Sequence, residues 1–540
     1  MKNMVYKLIK NNIFTKSMVN VIEERMSIIY PGNKEKVVDV TLKEILKIII
    51  INILVVSIIL LYGKTNIFYV FMSFMIMYML SKNKVYSKFN MLDIKLLKQF
   101  EKFLQDVRFK FKYDGMIDEA LQEALQNSDY EMYLQGNLLL ESLNDKESDS
   151  YTYVDIAPNS FFMTFYALCV TVKRYGDKIK NDKSLFIMNL SFLKDDINTE
   201  ILKREKINAM FMGLTGIIVI PLFAIKSICI WGIRNIPQLT DYYNGVIGKL
   251  TIVIITVITL IIFNIVMKLK YPIDFDNNKS LWIKELLDIK WVDELIMQHI
   301  SKNYKKYYRM DMFLKSLVYK YNVKEFLICR IFKSIGTFIL STGLIISMGI
   351  HKIGILGVGI SVLLIACVTI CTYNYEYMML LIREKLLKIS REEEIVRFQS
   401  VILILMYMDR VSIEVILEWL ERFAIVFKNN IERIADTLVY KGIKVFDDAK
   451  DDVAFLPFER LMDCFIASDR IGIEKSFSDI LSDRAYYVEK HKQENDLIIN
   501  NKALIAKFIS FIPICIVICF VLVIPFVYQG LRQIQSFTLI

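Results

Sequence analysis

The sequence predicts an all-α polytopic membrane protein of two tandem repeats. Each repeat is an apolar hairpin, a cytosolic antiparallel helical bundle and a transmembrane helix. Composition is the first observation: 540 residues are 54% hydrophobic with mean hydropathy +0.39, yet 23% are charged. That mixture suits membrane spans joined to sizeable aqueous domains. The second is a set of apolar runs near the roughly 20 residues a helix needs to cross a bilayer. They lie at 45–62, 67–81, 208–230, 250–267, 331–350, 353–372 and 508–528. The third is internal repetition. Val219-Ile220-Pro221-Leu222-Phe223 returns as Val523-Ile524-Pro525-Phe526-Val527. The entry Leu42-Lys43-Glu44-Ile45-Leu46 returns as Val323-Lys324-Glu325-Phe326-Leu327. Repetition of this kind constrains architecture before single residues do.

The elements follow in order. Residues 1–44 form a polar, basic cytosolic segment without the features of a cleavable signal. Residues 45–81 form a hairpin closed by Gly63-Lys64-Thr65-Asn66, and 82–207 form the first bundle. Two spans occupy 208–267, and a cytosolic amphipathic connector occupies 268–330. A second hairpin, 331–372, turns at His351-Lys352. The second bundle is 373–507, the last span 508–528 and the external tail 529–540. Lys and Arg concentrate in 1–44, 82–207, 268–330 and 373–507; the alternate segments hold only Lys64, Lys226, Arg234, Lys249, Lys352 and Arg532, with Lys226 and Lys249 at span ends. The positive-inside rule then places the N-terminus and both bundles in the cytosol and the C-terminus outside. The basic balance (net charge +10) suits the cytosolic side of an anionic membrane and calls for no nucleic acid.

Within the first bundle Phe100, Phe103, Leu104, Val107 and Phe111 have the i, i+3, i+4, i+7 spacing of an amphipathic helix. Phe398, Val401, Ile402, Leu405 and Met408 repeat it. Each series reaches a break and a short second helix, through Gly115 into Asp118-Glu119 and through Ser412 into Glu414 and Glu418. Ser412 has the chemistry of an N-cap, and acids in a first turn suit the helix dipole. Acidic loops are expected at 145–149 and 447–452. Turns are expected at Gly176-Asp177 and from Asp469 to Gly472. The charged stretches 193–206 and 482–502 then lead straight into spans. Pro221 and Pro525 are the positions where those spans can bend.

Catalytic chemistry has no foothold. Gly63-Lys64-Thr65 lacks the earlier glycine of a P-loop, and Gly357-Val358-Gly359 lies inside a span. The three histidines, His299, His351 and His491, have no ligand partners at metal spacing, and the eight cysteines sit in apolar helical contexts. No enzyme, cofactor or metal is expected. Lys47 and Lys333 lie near cytosolic span ends, where a long side chain snorkels. Few polar residues line the spans, against a solute transporter. A transporter and a membrane scaffold or signalling protein are the alternative readings.

The repeated unit resembles the F domain of type II secretion and type IV pilus platform proteins. The chain as a whole resembles a fusion of the two Tad (Flp) pilus inner-membrane proteins, TadB and TadC. The likeness covers roughly 40–270 and 323–530. The family's Gly-x-Ser-hydrophobic-x-x-Ala-Leu turn-helix is matched by Gly115 through Leu121, and by Val411 through Leu417, where Val411 replaces the glycine. Its later glycine turn is matched by Gly176-Asp177 and Gly472-Ile473-Glu474, without the second glycine. The resemblance implies a non-enzymatic inner-membrane platform. Its partners would be a hexameric cytosolic secretion or pilus ATPase, pilin or pseudopilin subunits, the bilayer and further copies of itself.

Overall fold

The computed structural model describes residues 6–538 except 7–9, 11–12, 64–66, 145–152, 154–155, 181–182, 272–286, 288–289, 318–320, 348–354, 407–410 and 454. Helices in chain order are α1 Ile13–Ile29, α2 Lys34–Gly63, α3 Ile67–Asp114, α4 Ile117–Gln126, α5 Tyr130–Asn144, α6 Ser160–Tyr175, α7 Leu185–Met210 and α8 Leu214–Asn235. There follow α9 Thr240–Asn244, α10 Val246–Lys270, α11 Lys290–Lys302, α12 Tyr304–Ser316, α13 Val323–Ser347 and α14 Ile355–Leu405. The last are α15 Ile413–Phe423, α16 Lys428–Lys441, α17 Lys444–Val453, α18 Leu456–Ile471, α19 Ile473–Val517 and α20 Ile524–Thr538. The described residues contain one strand pairing, the two-residue ladder of β1 Ile179–Lys180 with β2 Lys183–Ser184. The chain divides into two compact units. One comprises residues 1–49, 85–207 and 388–499; the other comprises 50–84, 208–387 and 500–540.

The first unit holds both helical bundles. Phe100, Phe103, Leu104, Val107 and Phe111 of α3 are all buried, as their spacing requires. Phe100 stacks on Phe162 with centroids 3.9 Å apart and meets Phe165 edge-on at 5.6 Å. In the second bundle Phe398, Val401, Ile402 and Leu405 of α14 are buried in the same way. There Phe427 stacks on Phe458 at 4.8 Å and Phe446 on Phe465 at 5.1 Å. Each buried Phe is worth about 1.5–3 kcal/mol by transfer, and good aromatic pairs add about 0.5–1.5 kcal/mol. Stacked aromatic pairs therefore add to both cores beside the buried aliphatic side chains.

One reading of the sequence needs correction here, and one segment gains structure the sequence did not announce. The N-terminal segment contains a packed helix. Helix α1 buries Val19, Ile22, Met26 and Ile29 in a cluster with Val85 and Leu92 of α3. Arg25 pairs with Asp93 at 2.6 Å, and Gln135 donates to the Ile28 carbonyl at 2.6 Å. The stretch 447–452 is a helix, not a loop: it lies in α17, whose Val445, Phe446 and Ala449 are buried. Its acids are the solvent face of an amphipathic turn. The other expected acidic loop, 145–149, lies outside the described residues.

Among the described residues of the second unit, four stretches are long and apolar enough to cross a membrane: within Leu185–Asn235, Gly248–Lys270, Val323–Gly343 and within Asn495–Gly530. They overlap the expected spans 208–230, 250–267, 331–350 and 508–528. The expected spans 45–62 and 67–81 lie in α2 and α3, and the described part of the span expected at 353–372 lies in α14; among the described residues these are not counted in the four. The expected turn at Lys64-Thr65-Asn66 and the one at His351-Lys352 lie outside the described residues. Lys47 pairs with Glu44 at 3.1 Å. Lys333 does not simply snorkel: it forms an ion pair with Glu376 of α14.

The span expected at 208–230 is interrupted. Helix α7 ends at Met210, and Gly213 takes φ +82° before α8 begins. A left-handed residue costs any side chain roughly 1–2 kcal/mol, so glycine suits the break. The last span is irregular in another way. A π-helical turn, Ile518–Val523, separates α19 from α20. Pro525 has no N–H to offer the Val521 carbonyl four residues earlier. The hydroxyl of Tyr243 donates to that carbonyl instead, at 2.8 Å. Gly232 and Gly248 make room for Tyr243. A Cβ on Gly232 would come within 2.9 Å of its Oη, and one on Gly248 within 2.7 Å of its backbone.

Candidate functional site at the seam of the two bundles

The richest polar arrangement lies inside the first unit, where α6 and α7 of the first bundle meet α14 and α19 of the second. Met163 and Ala167 of α6 belong to the apolar cluster of the second bundle. Arg397 of α14 donates to Ser160 Oγ at 3.4 Å. Beside this apolar contact runs a chain of alternating charges. Arg25 pairs with Asp93, Asp93 with Arg204 at 3.3 Å, and Arg204 with Glu200 at 2.7 Å. Glu200 pairs with Lys203 at 3.2 Å, and Lys203 with Glu393. Lys206 adds a pair with Asp496 at 2.8 Å. The ladder thus links α1, the first bundle and the second.

Helical spacing accounts for its middle. Glu200, Lys203 and Arg204 stand at i, i+3 and i+4 on α7, one above another on a single face. Burial works against each charge, but the neighbours outweigh it. Lys203 and Arg204 hold the Glu200 carboxyl below the usual carboxylate range. Glu200 and Glu393 push the Lys203 ammonium above its usual value. Glu200 and Lys203 therefore stay ionised near neutral pH.

The seam encloses a cavity of about 20 Å³ lined in part by Thr164, Asn189, Asp196, Arg397 and Ser400. That is space for about one water, and none for a substrate. Among the described residues no group of three His, Cys, Asp or Glu side chains is placed to hold a metal ion. The arrangement can transmit force or displacement between helices; it offers no poised nucleophile.

The residues singled out by sequence pattern are dispersed, and most shape turns. Gly115 takes φ +71° between α3 and α4. Asp118 pairs with Lys173 at 3.0 Å, while Glu119 is exposed. Gly176 ends α6 at φ +76°, and Gly472 ends α18 at φ +83°. Asp177 accepts from the Phe186 N–H at 3.0 Å. Ser412 caps α15 by accepting from the Val415 N–H at 3.4 Å. The Ser412 hydroxyl and a backbone N–H hold the Glu414 carboxyl below its usual range. Glu418 pairs with Arg422 at 2.8 Å along the same helix. Pro221 is buried within α8, and Pro525 starts α20.

The sequence reading missed Glu394. This fully buried carboxylate accepts from three consecutive backbone N–H groups, Ile425 at 3.0 Å, Val426 at 2.7 Å and Phe427 at 3.0 Å. It clamps the turn between α15 and α16. The available signal was an acid one helical turn before the buried Phe398. The chain matches no protein-family model, no curated protein and no solved structure.

Proposed function

We propose that this chain is a non-enzymatic inner-membrane platform that couples a cytosolic assembly ATPase to the extrusion of pilin-like subunits. In this reading its two bundles are tandem repeats on the cytosolic side. One observation supports it: the helices of both bundles lie in one compact unit and can be matched in chain order. Read as repeats, α3, α4, α5, α6 and α7 correspond to α14, α15, α16, α18 and α19, with α17 left over among the described residues. The glycines ending α6 and α18 have the same left-handed φ, and the long helices α3, α14 and α19 continue in sequence into apolar segments. The salt-bridge ladder supports a force-bearing role, because a half-buried alternating network shares load among several ion pairs.

The mechanism asks the protein for levers rather than reacting groups. An ATPase domain pressing on one bundle moves the other through the seam, and the helices carry that movement toward the lipid. The test is deletion of the chain from its native cell. Surface filaments or secretion should be lost while the motor keeps its ATP hydrolysis. Filaments that persist at normal levels would remove the platform reading.

A further inference from the structure

We propose that Lys82, Lys268, Lys333 and Arg383 form a seat for the phosphate headgroup of an anionic phospholipid. All four lie in the second unit, on four different helices: α3, α10, α13 and α14. Lys82 and Lys268 directly follow the expected spans 67–81 and 250–267. Lys333 lies in the first turn of 331–350, and Arg383 lies beyond 353–372. The site rests on reading these helices as membrane-crossing with this end inside, and it is independent of the platform role.

Side-chain contacts bring the four helices together here. Lys82 donates to the Asn264 carboxamide of α10 at 3.1 Å and to the Tyr78 hydroxyl at 3.4 Å. Asn264 and Lys268 stand at i and i+4, so they share one face of α10. On α13, Lys333 pairs with the buried Glu376 of α14. One turn earlier, Arg330 donates to the Tyr373 carbonyl of α14 at 2.9 Å and lies 4.0 Å from the Tyr373 ring centre. Lys268 is within electrostatic reach of Glu376, Lys82, Lys333 and Arg383.

These charges do not balance. Among the described residues Glu376 is the one acid acting on Lys268, against three other bases, and Glu376 is already taken by Lys333. Lys82 has only neutral acceptors, an amide and a phenol. Lys268 makes no hydrogen bond or ion pair among the described residues. Like charges gathered beside hydrocarbon repel more strongly than in water, so an anion between them completes the cluster. A phosphate presents oxygens that ammonium groups can contact from several directions. Basic pockets between membrane helices on the cytosolic side hold acidic headgroups by this chemistry.

The surroundings favour a lipid over free phosphate. Arg383 donates to the carbonyl of Leu317 at 3.4 Å, and Leu317 directly follows α12. On α12, Tyr304, Tyr308 and Met312 stand at i, i+4 and i+8 and are all exposed. Lys305, Lys306 and Arg309 are exposed beside them. Tyrosines flanked by bases on an open helix face mark a helix at headgroup level.

The experiment places the full chain in phosphatidylcholine nanodiscs with increasing phosphatidylglycerol. Two quantities are read: the thermal unfolding midpoint, and the phosphatidylglycerol retained per chain after detergent exchange. Phosphatidylglycerol should raise the midpoint of the unaltered chain. A Lys82→Gln/Lys268→Gln variant should unfold no lower than the unaltered chain in pure phosphatidylcholine, since it loses repulsion. Its midpoint should no longer respond to phosphatidylglycerol, and retention should fall about tenfold. Lys305→Gln/Lys306→Gln removes the same charge from α12 and should keep both the response and the retained lipid. Equal retention in all three chains, or equal loss in the two variants, would overturn the proposal. So would inorganic phosphate that raises the midpoint in pure phosphatidylcholine as far as phosphatidylglycerol does, since that assigns the seat to a free anion. Filament assembly does not enter these readouts, so the lipid seat and the platform reading fail separately.

Discussion

The two bundles differ most at their turns and at their exits. In the second, the turn between the first short helices is held from inside by Glu394 on three backbone N–H groups. In the first, Glu131 serves a related turn from the rim, taking Lys95 at 2.6 Å, Gln99 at 3.0 Å and the Tyr30 hydroxyl at 3.2 Å. At the exits, α7 stops and restarts at Gly213, whereas α19 runs unbroken for 45 residues before its π-helical turn. One helix order thus accommodates an inner clamp with a stiff exit, and an outer clamp with a jointed one. The first half is tied to α1 through its rim; the second is self-contained.

The widest gap between the halves should open at the clamps. Glu394→Ala leaves three buried N–H groups without an acceptor and should cost about 3 kcal/mol. Denaturant unfolding of the full chain should show it, with protease cutting first near residues 411–428. Glu131→Ala should cost about half as much, because water replaces partners at the rim. Equal losses would erase the distinction between inner and outer clamp.

The exits come next. Gly248→Ala pushes a methyl into the backbone of Tyr242 and Tyr243 and should cost about 2 kcal/mol. Tyr243→Phe strands the Val521 carbonyl and should cost about 1–2 kcal/mol, read as a lower thermal midpoint in detergent. Gly213→Ala meets open space but keeps a left-handed φ. It should cost about 1 kcal/mol, unless α7 and α8 straighten into one helix. Spin labels either side of Gly213 measure that directly.

The smallest effect is in pH. Burial alone would raise the Glu131 carboxyl, but Lys95 and Gln99 bring it down to about 2. A depressed carboxylate stabilises the fold at neutral pH, and that contribution fades as pH falls from about 4.5 toward 2. Glu131→Gln should flatten the unfolding midpoint across that window. An equally steep slope in the variant would assign the acid sensitivity elsewhere.

Much of this was legible in the sequence. The heptad-like burial of Phe100 through Phe111 and of Phe398 through Leu405 is written in their spacing, and the runs at 208–230, 250–267 and 508–528 announce themselves by length. What stayed hidden is long-range or masked by local composition. Arg25 and Asp93 are ordinary surface charges until α1 folds back on α3. Gly213 sits in an apolar run that conceals its turn. In 444–453, the acids drowned out Val445, Phe446 and Ala449, whose helical spacing was present all along. Tyr243 gave no signal, since its partner is a backbone atom far along the chain.

The bond from Tyr243 to Val521 ties a defect in one helix to a side chain from a different hairpin. Proline alone would leave a bare acceptor in hydrocarbon, where water cannot reach it. Borrowing a phenol for that acceptor gives the terminal helix a notch: it can slide or rotate past the 237–244 segment only by uncovering the oxygen again. The bond therefore fixes the register of the terminal helix against the short α9.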